Sequence, residues 1–137
     1  AQLEKAPQFI QARKNNFAFL NERLKDCEEF VFLPVATEHA DPSWFGFPIT
    51  LKDNSPVSRL DLLTYLDQNK IGTRLVFAGN LTRQPYMAGA NYRVSGNLDN
   101  TDNVMNNTFW IGLHPALTRE MLEYSATKIE TYLGVNF

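Results

Sequence analysis

The stretch VSRLDLLTYLDQNKIGTRLVF, residues 57–77, holds a helix and the strand that follows it, and the rest of the fold is read outward from that pair. Ser58 stands where a helix N-cap belongs. Its hydroxyl can accept from an N–H of the first turn, and Asp61, at the third helical position, supplies the reciprocal carboxylate of a capping box. Val57 and Leu62 bracket that turn as a hydrophobic staple. The spacing predicts a helix over 59–69 with Leu60, Leu63 and Leu66 as its apolar side. Asn69, Lys70 and Gly72 oppose continuation. TRLVF, residues 73–77, then has the composition of a strand.

On the N-terminal side, Phe9, Phe17, Leu20 and Leu24 recur at helical intervals across residues 8–26, among charged Arg13, Lys14, Glu22 and Arg23. The short run FVFL, 30–33, ends at Pro34 and reads as an edge strand. WFGFPITL, 44–51, reads as another, where Gly46 permits close backbone approach and Pro48 predicts an edge position or a bulge. On the C-terminal side, residues 78–98 lose all periodicity. Gly79, Asn80, Pro85, Gly89, Asn91, Gly96 and Asn97 favour turns, so a long ordered loop held against another surface is expected. DNTDNVMNNT follows as a short helix capped by Asp99 or Thr101, FWIGL (109–113) as a buried strand, and Thr118 as the cap of a last helix. Leu122, Ala126, Ile129 and Leu133 mark that helix's inner side until Gly134 ends it. The order predicts a two-layer α/β domain, a small mixed or antiparallel sheet with helices on one face.

Composition bounds the chemistry. The 137 residues carry 13 basic and 15 acidic side chains, a formal charge of −2, so no basic excess exists for binding a phosphate backbone and nucleic acid is not an expected partner. No run approaches about 18 consecutive apolar residues, and AQLEKAPQ lacks the features of a secretory leader, so no membrane and a cytoplasmic location are expected. The one cysteine, Cys27, can form neither an internal disulfide nor a metal–sulfur cluster. His39 and His114 lie far apart, outside any ligand spacing, so no metal site is expected and a turn role suffices for His114. The glycines match no phosphate-binding fingerprint. Ala1 in place of Met, with ten Phe, five Tyr and two Trp, raises the expectation of a piece cut from a larger protein.

The remaining candidates each have two readings. Arg74 and Arg83 can pair with a carboxylate of the chain or grip a phosphate through the guanidinium fork. Trp44, Phe45 and Phe47 can pack in the core or face a planar ligand.

A resemblance becomes specific at these residues. SWFGFPIT (43–50) and KIGTRLVFAGNLTRQPY (70–86) resemble the C-terminal part of the sugar-nucleotide branch of fold-type I PLP enzymes, the DegT/DnrJ/EryC1/StrS aminotransferase family. NNTFWIGLHPALT (106–118) is similar to that family's final strand and helix entrance. The resemblance covers essentially the whole chain and implies that residues 1–137 are a small C-terminal domain whose large cofactor-binding domain lies outside this chain. Phe45 stands where many of the related aminotransferases carry His, which implies the 3-dehydrase branch, acting on a CDP-linked 4-keto-6-deoxy sugar.

That branch implies a PMP/PLP cofactor beside Phe45, and a substrate cleft near Trp44, Arg74, Asn80, Arg83 and Tyr86. It also implies a catalytic histidine, a 2Fe–2S cluster on four cysteines, a homodimer partner and an NADH-dependent iron–sulfur flavoprotein reductase. None of those outside groups maps onto this chain, so the chain alone is expected to bind neither PMP nor cluster and to hold no catalytic residue. A sugar-nucleotide aminotransferase and a noncatalytic binding or interaction module are the competing readings.

Overall fold

The computed structural model describes residues 2–135. Four helices, α1 (Ala6–Arg23), α2 (Arg59–Gln68), α3 (Asp99–Asn107) and α4 (Arg119–Leu133), accompany four strands, β1 (Val31–Phe32), β2 (Gly46–Leu51), β3 (Thr73–Leu75) and β4 (Thr108–Gly112). The strands form one antiparallel sheet in the order β1-β2-β4-β3, with Phe47 opposite Ile111, Pro48 opposite Trp110 and Arg74 opposite Trp110. This resolves the expected mixed or antiparallel sheet as antiparallel.

Strand alternation builds the core. Phe47, Ile49 and Leu51 of β2 and Phe109 and Ile111 of β4 are buried on one face, where they meet Leu20 of α1, Leu62 and Leu66 of α2, and Leu122, Ala126, Ile129 and Leu133 of α4. A fully buried Leu or Phe contributes roughly 1.5–3 kcal/mol relative to exposure, so this face carries most of the fold's stabilisation. α4 follows its expectation: Thr118 Oγ1 accepts from Met121 N–H at 3.3 Å, and Gly134 closes the helix in the left-handed region at φ 77°. Arg23 bolts α1 to α4, its Nε donating to Glu123 at 2.8 Å and its Nη1 to Glu130, a carboxylate only 2% exposed. Burial pushes the Glu130 carboxyl above its ordinary range, against the pull of Arg23.

Several local expectations are corrected. Ser58 does cap α2, accepting from Asp61 N–H at 3.2 Å, but the Asp61 carboxylate accepts from the Ser58 hydroxyl at 2.7 Å and not from the Ser58 N–H of a reciprocal capping box. Leu60 is 74% exposed, and Leu62 and Leu66 are the buried pair. At about 100° per residue, Leu60 sits roughly 120° around the helix from Leu66, off the buried stripe. β2 is an inner strand despite Pro48. Lys52 N–H donates to Phe30 O and Leu113 N–H to Phe45 O, so even positions of β2 face β1 and odd ones face β4. Pro48 therefore turns its missing N–H toward the side of β1, beyond the two residues that β1 supplies. β3 stops at Leu75 rather than Phe77, because Phe77 adopts φ 46° and donates its N–H to Leu75 O. Neither Asp99 nor Thr101 caps α3; Leu98 occupies that position without a side-chain bond. Residues 78–98 hold two single 3-10 turns, Leu81–Arg83 and Pro85–Met87, and are otherwise irregular. Among the described residues no helix is long and apolar enough to cross a membrane.

Candidate functional site

The sheet face opposite the core gathers some of the candidate residues. Gly46 lets Trp110 lie flat on the sheet: a Cβ there would stand 2.4 Å from Trp110 Cε3. The indole spans toward β3, donating Nε1–H to Leu75 O at 3.3 Å. Phe45 meets it edge-on, with centroids 5.1 Å apart at 81°, and remains 59% exposed. Arg74, opposite Trp110 in register, shares this face and is exposed; its guanidinium donates to the neighbouring Thr73 carbonyl at 2.9 Å. Trp44 diverges from Phe45 and stacks on Phe17 of α1, 5.6 Å apart at 11°. Phe47 belongs to the core.

A second group is built on α3. Asn80 is 2% exposed, and its amide donates to Asp102 Oδ1 at 2.6 Å while its carbonyl accepts from the Thr82 N–H and hydroxyl. Arg83 closes on the same carboxylate, Nη2 to Oδ2 at 2.7 Å and Nε to Oδ1 at 3.3 Å. The Arg83 and Asn80 hydrogen bonds hold the Asp102 carboxyl below its ordinary range, and Asp102 in turn raises that of Arg83. Gly79, at φ 62°, completes the seat, since a Cβ would come within 2.3 Å of Met105 on α3. Tyr86 stands apart on the next turn and is exposed. The structure thus joins Asn80 with Arg83 through Asp102, and places Arg74 on the same sheet face as Phe45 and Trp110.

Trp110 and Asp102 are the members that sequence reasoning missed. Strict alternation in TFWIG would have turned Trp110 away from Phe109 and Ile111. Asp102 is among the first acids to follow a long basic segment: residues 68–98 carry Lys70, Arg74, Arg83 and Arg93 and no Asp or Glu.

The other polar groups are settled locally. His114 Nδ1 accepts from Ala116 N–H in a turn, and His39 is exposed. The Cys27 thiol is buried and pushed up to about 12, first by desolvation and then by Glu130 and Asp26. Among the described residues no group of three or more His, Cys, Asp or Glu could hold a metal. A cleft of about 550 Å³ lies between the start of β3 and α4, lined by Ile71, Gly72, Ile111, His114, Met121 and Tyr124 among others, and none of the expected site residues lines it.

Comparison with known proteins supplies the context. The chain is 58% identical over its whole length to the lipopolysaccharide biosynthesis protein RfbH of Salmonella typhimurium, of which it covers 31%. It is 41% identical over 98% of its length to a dTDP-4-dehydro-2,6-dideoxy-D-glucose 3-dehydratase of Saccharopolyspora spinosa, covering 29% of that protein. Its fold superposes on E. coli GDP-4-keto-6-deoxy-D-mannose-3-dehydratase with bound hydrated PLP at a TM-score of 0.83 and 28% identity, over 93% of this chain and 32% of that one. The chain therefore spans about a third of the length of the curated relatives it matches. The family model of the DegT/DnrJ/EryC1/StrS aminotransferases matches residues 1–130, and the chain belongs to the DegT/DnrJ/EryC1/StrS aminotransferase family.

Proposed function

We propose that this chain is the small C-terminal domain of a PMP-dependent dehydrase. The full enzyme removes the C3 hydroxyl of CDP-4-keto-6-deoxy-D-glucose, on the way to a 3,6-dideoxyhexose of lipopolysaccharide O-antigen, in the cytoplasm and as a homodimer. The observation that carries this reading is Phe45. An exposed hydrocarbon ring braced edge-on by Trp110 can wall a planar cofactor or a sugar, but it cannot move a proton as the transaminase histidine would. The 3-dehydratases among the relatives support the same branch.

The residues present fit one wall of a PMP site: an exposed ring at Phe45, with Arg74 on the same face. When bound, PMP supplies the electron sink that makes loss of the C3 hydroxyl feasible. With PMP bound, Phe45 would wall the cofactor's face, Arg74 and Arg83 would turn cations toward the nucleotide diphosphate, and exposed Tyr86 would line the approach. Trp44, stacked on Phe17, and Asn80, bonded to Asp102, would act by holding the segments that carry Phe45 and Arg83. This chain does not fit an iron–sulfur cluster, because its one cysteine is sealed in the core. The cluster cysteines and the catalytic histidine would come from the rest of the protein, and the electrons from an NADH-dependent iron–sulfur flavoprotein reductase.

The test is turnover by the full-length protein with CDP-4-keto-6-deoxyglucose, PMP and reductase, read by product mass. Loss of the C3 oxygen is expected. Gain of an amino group from glutamate would assign the aminotransferase reading instead. Residues 1–137 alone are expected to give no turnover, and sustained 3-deoxygenation by them would overturn that part of the reading.

A further inference from the structure

The Asn80–Arg83–Asp102 group is asymmetric in a way that a simple surface ion pair is not. Its carboxylate lies inward, with 24% of the side chain exposed, whereas the Arg83 side chain is 63% exposed. Asp102 holds the guanidinium by its Nε–Nη2 edge, and among the described residues Nη1 has no partner. The Nη1–Nη2 edge of the fork is left for a second bidentate acceptor. Asn80 adds a further donor to the same carboxylate from a nearly buried position, which fixes the direction in which Asp102 points.

We propose that Asp102 is a positioning residue: it grips one edge of Arg83 so that the opposite edge meets the diphosphate of the nucleotide sugar. The proposal rests on the nucleotide-sugar reading above, but not on which base the nucleotide carries. Asp102 contributes orientation, while Arg83 makes the contact. Without Asp102 the arginine keeps its charge and loses its direction, so that ordering it falls on the binding step.

The test titrates CDP and GDP into the full-length protein and into its Asp102→Ala, Asp102→Asn and Arg83→Ala variants and the Arg83→Ala/Asp102→Ala double variant. Asp102→Ala is expected to weaken both ligands by about tenfold and to raise KM more than it lowers kcat. The double variant is expected to bind no more weakly than Arg83→Ala alone, since Asp102 acts only through the arginine. Asp102→Asn keeps an acceptor and the side-chain volume; an intermediate loss in this folded variant is the expected result, and serves if Asp102→Ala does not fold. Unchanged or tighter binding in the Asp102 variants would overturn the proposal, as would additive losses in the double variant. If GDP binds the parent as well as CDP does, the CDP assignment fails, whereas equal losses for both ligands still support the role of Asp102.

Discussion

Phe109 and Trp110 are neighbours in β4 and belong to different enterprises. Phe109 is sealed between the sheet and the three helices α1, α2 and α4, with no accessible surface. Trp110 lies on the other side, over a glycine, holding a half-exposed phenylalanine at its edge, with exposed Arg74 opposite it in the next strand. One strand therefore spends alternate residues on stability and on presentation. The lesson is that in this domain the two demands are separated by the pleat and not by distance along the chain.

That separation is open to attack. Phe109→Ala is expected to cost about 3–5 kcal/mol in urea unfolding of the full-length protein, whereas Trp110→Ala next to it should cost about 1–2 kcal/mol. A ratio near one would break the contrast between the faces. Gly46→Ala should lie between, roughly 1–3 kcal/mol, because the added methyl must displace the indole. Its signature would be a shifted tryptophan emission, which an unmoved Trp110 would not give. On the helical side, Ser58→Ala should cost only about 1 kcal/mol, the usual loss for an N-cap, read from the same unfolding curves.

The two carboxylates sharpen the contrast through pH. Asp102 has a depressed pKa in the folded state, so its contribution is present above the unfolded value of about 4 and is lost as pH falls through the folded one. Amide protection of residues 80–83 should decline in that acid window in the parent and be insensitive to it in Asp102→Asn. Glu130 has the opposite sign. Its raised folded pKa means that stability falls as pH rises from the unfolded value of about 4.3 through the folded one. Glu130→Gln should flatten the thermal midpoint over that interval, and an unchanged slope would show that Arg23 fully offsets the burial.

The caps of α2 and α4 were the most legible parts of the sequence, whereas that of α3 was misread. Ser58, Thr118 and Gly134 act through bonds or backbone conformations within a few residues, so local spacing is enough to identify them. The inner side of α4 was equally plain, because Leu122, Ala126, Ile129 and Leu133 allow only one helical stripe. Leucine-rich α2 allowed several, and only packing against α4 chose Leu62 over Leu60. Pro48 misled because its meaning depends on where another strand stops, which is information held by residues 31–32. The candidate site was legible as a set of residue types but not as groups. Asn80 and Arg83 meet through Asp102, nineteen or more positions away, and Phe45 meets Trp110 across the sheet with Arg74 opposite in register, so each grouping spans the fold and no local pattern announces it.

The shortness of β1 has a further consequence, for the protein's behaviour in a crowded solution. Past Phe32, the margin of β2 that faces outward includes Pro48, so the row of donors that an intruding strand would need is broken where the sheet stops guarding itself. The residue that argued against an inner strand thus serves as a gatekeeper, making that margin a poor template for strand-to-strand self-association.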